Sequence, residues 1–139
     1  MGLTGDEIAA VKSTFKTFET DLEGSGTIFY VEFFEKNPQH KALFKSADPN
    51  NAQFKHQAKM TMKKIGELVA ALDGGLDAKL KDLGVFHKGK NISPAQFATC
   101  EGPMKYTLSK VLGAKYDATA QSGWDKVLKT IIAGVSKEL

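Results

Sequence analysis

Seven side chains combine polar chemistry with positions beside apolar helical stripes: Tyr30, His40, His56, Gln57, Thr61, His87 and Cys100. Three histidines without a carboxylate–histidine cluster do not make a zinc site. There is no H-E-x-x-H, no G-x-S-x-G and no glycine-rich phosphate loop. Cys100 falls on the apolar stripe of its helix, where an inert buried thiol is expected rather than a nucleophile. His87, at the end of a short helix, would in isolation read as a solvated imidazole. What is left is hydrogen-bond donor chemistry spread over several helices.

Those helices can be read from periodicity. Thr4 and Glu7 form a capping box, followed by Ile8, Val11, Phe15 and Phe18 at spacings of three and four. Gly24-Ser25-Gly26 is expected to break this helix. A second helix carries Ile28 to Phe34 and cannot run straight through Pro38. The longest amphipathic stripe is Ala58, Met62, Ile65, Val69 and Leu72, ending at Asp73-Gly74-Gly75. A short helix is expected over about residues 76–87. Ser93-Pro94-Ala95-Gln96 is a second capping box. It is expected to open one helix through Phe97, Cys100, Met104, Leu108 and Val111. Asp117 or Thr119 caps the last helix, whose stripe is Trp124, Val127, Leu128, Ile131, Ile132 and Val135. No strand-like alternation, internal repeat or linker is visible. The expectation is a single all-α domain over residues 1–139 with six or seven helices.

Composition narrows the class. All nineteen basic residues are lysine, so the guanidinium fork that reads guanine edges and clamps phosphates is missing. Nucleic acid is therefore not an expected partner. No apolar run approaches the length of a membrane span, and no signal peptide is visible. One cysteine excludes an internal disulfide framework and fits a reducing compartment. A cytoplasmic location is expected.

The order of motifs resembles the globin family. Phe33-Phe34-Glu35-Lys36-Asn37-Pro38 is followed by Phe44, then Phe54-Lys55-His56-Gln57-Ala58, Leu83-Gly84-Val85-Phe86-His87 and Trp124. The resemblance runs over the whole chain and implies an all-α globin fold of six to eight helices around haem b (iron protoporphyrin IX). It makes His87 the proximal iron ligand, with Leu83 one turn earlier against the porphyrin. Phe44 matches the phenylalanine wedged on the haem plane, brought there by the turn at Pro38. Ile92, Phe97 and Cys100 match lining positions, although ordinary core packing accounts for them almost as well. Lys45, Lys88 and Lys90 are the nearest cations for the haem propionates, in exposed pairs worth about 1 kcal/mol or less each.

On the distal side, matching Ile65-Gly66 to the family's apolar-glycine pair puts Gln57 at the polar position over the ligand. Thr61 then lies above the iron. His56 falls about 100° round the helix, towards solvent, and is the alternative should the register slip by one. Tyr30, eight residues before Pro38, matches the second-helix position that faces bound ligand. Tyrosine with glutamine resembles the pocket of several invertebrate globins that hold oxygen tightly. Hydrogen bonds from Tyr30 and Gln57 to dioxygen would contribute roughly 1 to 1.5 kcal/mol each. The Thr61 hydroxyl either takes up the Tyr30 donor or bonds a carbonyl one turn back.

The resemblance thus implies reversible dioxygen binding on ferrous iron for storage or transport, with slow release. NO and CO are further ligands, and the chain is expected as a monomer or homo-oligomer. Two other readings stay open: a haem redox enzyme or sensor (nitric oxide dioxygenase, nitrite reductase or peroxidase-like), and a cofactor-free helical interaction module.

Overall fold

A computed structural model describes residues 2–139. The described residues form seven α-helices: α1 (Gly5–Glu19), α2 (Leu22–Lys36), α3 (Ala52–Ala70), α4 (Leu76–Gly89), α5 (Pro94–Ala98), α6 (Glu101–Leu112) and α7 (Ala118–Ser136). Short 3-10 turns at Pro38–Leu43, Ala71–Asp73 and Gly113–Lys115 join them. Helix α2 lies against α3 and α6, α1 against α7, and α4 against α7. No helix among the described residues is long and apolar enough to cross a membrane.

The caps follow the residue types. At α1 the Thr4 side chain accepts from the Glu7 N–H while Glu7 accepts from the Thr4 N–H, and Ser93 with Gln96 does the same at α5. Asp117, and not Thr119, caps α7 by accepting from the Ala120 N–H. Helix α2 stops at Lys36, immediately before the Asn37-Pro38 pair.

Two expected boundaries are corrected. The first helix breaks at Thr20–Asp21, and Gly24, Ser25 and Gly26 lie inside α2, with Asp21 capping it through the Gly24 N–H. Gly26 serves a different purpose: a Cβ there would collide with the backbone of Ala58, so α2 and α3 touch main chain to main chain. The helix expected to run from Pro94 to Val111 is divided at Thr99–Cys100. Pro103 has no N–H to offer the Thr99 carbonyl and its ring crowds it. The chain tightens, with the Cys100 N–H bonding the Phe97 carbonyl before α6 resumes.

Trp124 is fully buried, its indole N–H donating to Thr14 Oγ1 at 2.9 Å, with Phe15 and Phe18 beside it. This cluster fixes α7 on α1. A second aromatic group, Phe29, Phe33, Phe34, Phe44 and Phe54, surrounds Tyr30 with ring centres 4.9 to 6.1 Å away.

Candidate haem site

Helices α2 and α3 bring three candidate residues together. Tyr30 is 5 % exposed, and its hydroxyl lies 2.7 Å from Thr61 Oγ1. Gln57 Nε2 donates to Tyr30 Oη at 3.1 Å and to Thr61 Oγ1 at 3.2 Å. Their joint position has a backbone cause. Gly26 is one turn before Tyr30, and Ala58 adjoins Gln57 and precedes Thr61 by three residues, so the contact at Gly26 sets the gap that the hydrogen bonds span. His56 is exposed and takes no part in this cluster.

The cluster has protons to spare. The three distances describe a nearly equilateral triangle, so the two hydroxyl oxygens lie too close in direction to take one linear amide N–H each. One Gln57 N–H is shared between them and the other is left over. The Tyr30–Thr61 bond consumes one hydroxyl hydrogen and leaves the second. Among themselves the three side chains therefore leave one amide and one hydroxyl hydrogen unspent. Burial raises the Tyr30 phenol above its ordinary range, so it stays a neutral donor.

His87 occupies the last turns of α4. Its Nδ1 lies 2.8 Å from the Leu83 carbonyl. A carbonyl can only accept, so Nδ1 carries the hydrogen and Nε2 keeps its lone pair. Burial lowers the His87 pKa, the backbone bond opposing it, and keeps the ring neutral. The ring is flanked edge-on by Phe86 at 5.3 Å and Phe97 at 4.9 Å. A neutral imidazole with a fixed tautomer and a free Nε2 is what an iron ligand requires.

The remaining candidates are placed around these two groups. Phe44 packs against Tyr30 and Phe34, at 5.4 and 5.2 Å. Leu83, Phe97 and Cys100 are half-buried against the core, and Ile92 is half-buried after α4. Burial pushes the Cys100 thiol up to about 12, which makes it inert as a nucleophile. Lys45, Lys88 and Lys90 are exposed, and the Lys90 ammonium sits 5.6 Å over the Phe86 ring.

Two features escaped the sequence reading. Phe86 is 58 % exposed beside His87, and hydrophobic periodicity gives no reason for so large an apolar side chain in solvent. His40 is buried against Phe33 and linked to Thr99 at 3.2 Å. Thr99 Oγ1 spends its own hydrogen on the Gln96 carbonyl, so His40 Nε2 donates and the turn after α2 is tied to the α5–α6 corner. Residues 59 apart in sequence leave no local signal of such a bond.

The comparisons with known proteins bear on the family and the fold. The globin family model matches residues 27–135, and the chain belongs to the globin family. It is 22 % identical to leghemoglobin of Medicago sativa, covering 100 % of this chain and 99 % of that one. It is 27 % identical to hemoglobin subunit zeta of Homo sapiens over 94 % of each chain. The fold matches, with a TM-score of 0.89 and 21 % identity, the crystal structure of a hexacoordinated heme protein from an anhydrobiotic tardigrade at pH 4. That match covers 99 % of this chain and 95 % of the other. The globin fold implies a haem-binding pocket, and the imidazole, phenol and amide chemistry described above fits one.

Proposed function

We propose that this globin binds haem b through His87 Nε2 and binds dioxygen reversibly, in storage or transport, with slow release. When bound, the haem would supply a ferrous iron able to take up diatomic gases. The chain's own residues do the rest. The Leu83 carbonyl holds the His87 tautomer, Phe44 and Phe97 supply flat apolar surface, and Leu83, Ile92 and Cys100 add lining. Lys45, Lys88 and Lys90 are the cations suited to the propionates.

The observation that carries the oxygen reading is the Tyr30–Gln57–Thr61 triangle with its two unspent donor hydrogens. A diatomic ligand that gains negative charge on binding is favoured by such donors, each contributing roughly 1 to 1.5 kcal/mol. The gain belongs to the release rate, because a preformed donor acts on the bound state rather than on encounter. The aromatic cage around Tyr30 holds its hydroxyl in place before the ligand arrives, so little ordering is left to be done.

The visible spectrum of the reduced, haem-loaded protein under argon, and then under air, tests this. One broad band that converts reversibly to two sharp ones supports the reading. Two sharp bands already under argon mean that a second side chain fills the ligand position, and reversible oxygen binding through an open site is then wrong.

A further inference from the structure

Asn91 is the one non-glycine residue with positive φ among those described, at φ 60°. Left-handed backbone is costly for most side chains and least so for asparagine, aspartate and glycine. The Asn91 side chain is exposed, and the hydrogen bonds made here are main-chain ones. What the residue contributes is therefore a backbone conformation.

That conformation closes α4. The Ile92 N–H returns to the His87 carbonyl at 3.1 Å, and the Asn91 N–H returns to the Lys88 carbonyl at 3.0 Å. The Lys90 N–H also reaches the His87 carbonyl, at 3.0 Å. Paired six-to-one and five-to-two bonds around a left-handed residue make a Schellman cap. Its anchor carbonyl belongs to His87. The iron-ligand candidate is thus held twice, by its ring nitrogen on Leu83 one turn back and by its own carbonyl on Ile92 ahead.

We infer that Asn91 is a positioning residue for His87: its left-handed backbone sets the cap that aims the imidazole. This rests on the haem reading of His87. The cap also brings Ile92 back beside the histidine turn, so one backbone choice places two pocket residues. Without it the Ile92 bond to the His87 carbonyl is lost and the last turn of α4 loosens, which leaves the shorter Lys90 bond and the Nδ1–H bond to Leu83 to hold the histidine's orientation.

Three variants test it. Asn91→Gly keeps left-handed freedom without a side chain, Asn91→Ala resists it mildly, and Asn91→Val, β-branched, resists it strongly. In the haem-free chain, hydrogen exchange at the Ile92 amide is expected to accelerate about tenfold in Asn91→Val and to stay within about twofold in Asn91→Gly. In the loaded ferrous protein, haem loss to a scavenger is expected to follow the same order, Val faster than Ala faster than Gly. The iron–imidazole stretching band should broaden or shift in Val and be restored in Gly, which a general loss of stability would not do. Should Asn91→Val fail to fold, Asn91→Ala against Asn91→Gly gives the same comparison. Equal Ile92 exchange in all chains overturns the cap. Altered exchange with an unmoved stretching band and unmoved haem loss overturns the positioning role. A wild-type chain that takes up no haem overturns the reading of His87 itself, while the Ile92 exchange still decides whether Asn91 forms the cap.

Discussion

Gly26 and Ala58 meet with no side chain between them, and that contact sets the separation of Tyr30 from Thr61. Close helix approach and the donor triangle are therefore one feature seen at two heights. Gly26→Ala forces α2 and α3 apart at a backbone contact that cannot rotate away. Overpacking of this kind costs about 1 to 3 kcal/mol. A lower thermal midpoint is expected together with a dioxygen release rate that differs from wild type. An unchanged midpoint would show that the contact yields freely.

Tyr30→Phe removes the phenol and keeps the ring inside its aromatic cage. The expected result is a several-fold faster dioxygen release in stopped-flow, with association little changed. An unchanged release rate would remove Tyr30 from the ligand's surroundings.

Thr61→Val keeps the volume and deletes the oxygen that lies 2.7 Å from the Tyr30 hydroxyl. The phenol then has its own hydrogen free for the ligand, with Gln57 still donating to its oxygen. Slower release than wild type assigns the hydrogen of the Tyr30–Thr61 bond to Tyr30, because that hydrogen then turns to the ligand. A faster release would mean that the Thr61 hydroxyl itself is the donor.

His87→Ala deletes the neutral imidazole whose Nδ1–H is held by Leu83. Stable haem uptake should be lost, seen as a collapsed Soret band after gel filtration. Added imidazole should restore part of it, since the cavity left behind has the shape of the missing ring.

How far the sequence carries can be judged from single residues. The capping boxes at Thr4 and Ser93, the stop before Pro38 and the buried Trp124 all rest on local chemistry, and local chemistry is legible. Gly24 to Gly26 misled because glycine marks both turns and tight packing, and only the partner helix tells them apart. Pro103 carried enough information to place the break at Cys100, through the carbonyl four residues earlier. The Tyr30–Thr61 bond and the His40–Thr99 bond join residues 31 and 59 apart. Sequence could offer the first only as an alternative and did not contain the second, because neither follows from periodicity.

The acid response of the fold turns on Glu7. Its carboxylate, buried at the start of α1, accepts from Lys126, Ser122 and the Thr4 N–H, bonds that hold its pKa at about 2 against an ordinary 4.5. Since the folded value is depressed, ionised Glu7 favours the folded state at every pH above 4.5, and that contribution fades as pH falls from there towards 2. Glu7→Gln should lower the thermal midpoint at neutral pH, because the amide cannot reproduce the ion pair with Lys126. The two curves should draw together as pH falls below 4.5 and meet only near pH 2, where the wild type has lost what the variant never had. Parallel curves from pH 7 to pH 2 would mean that Glu7 titrates as an ordinary surface carboxylate, and that α1 is fastened to α7 by the Trp124 cluster alone.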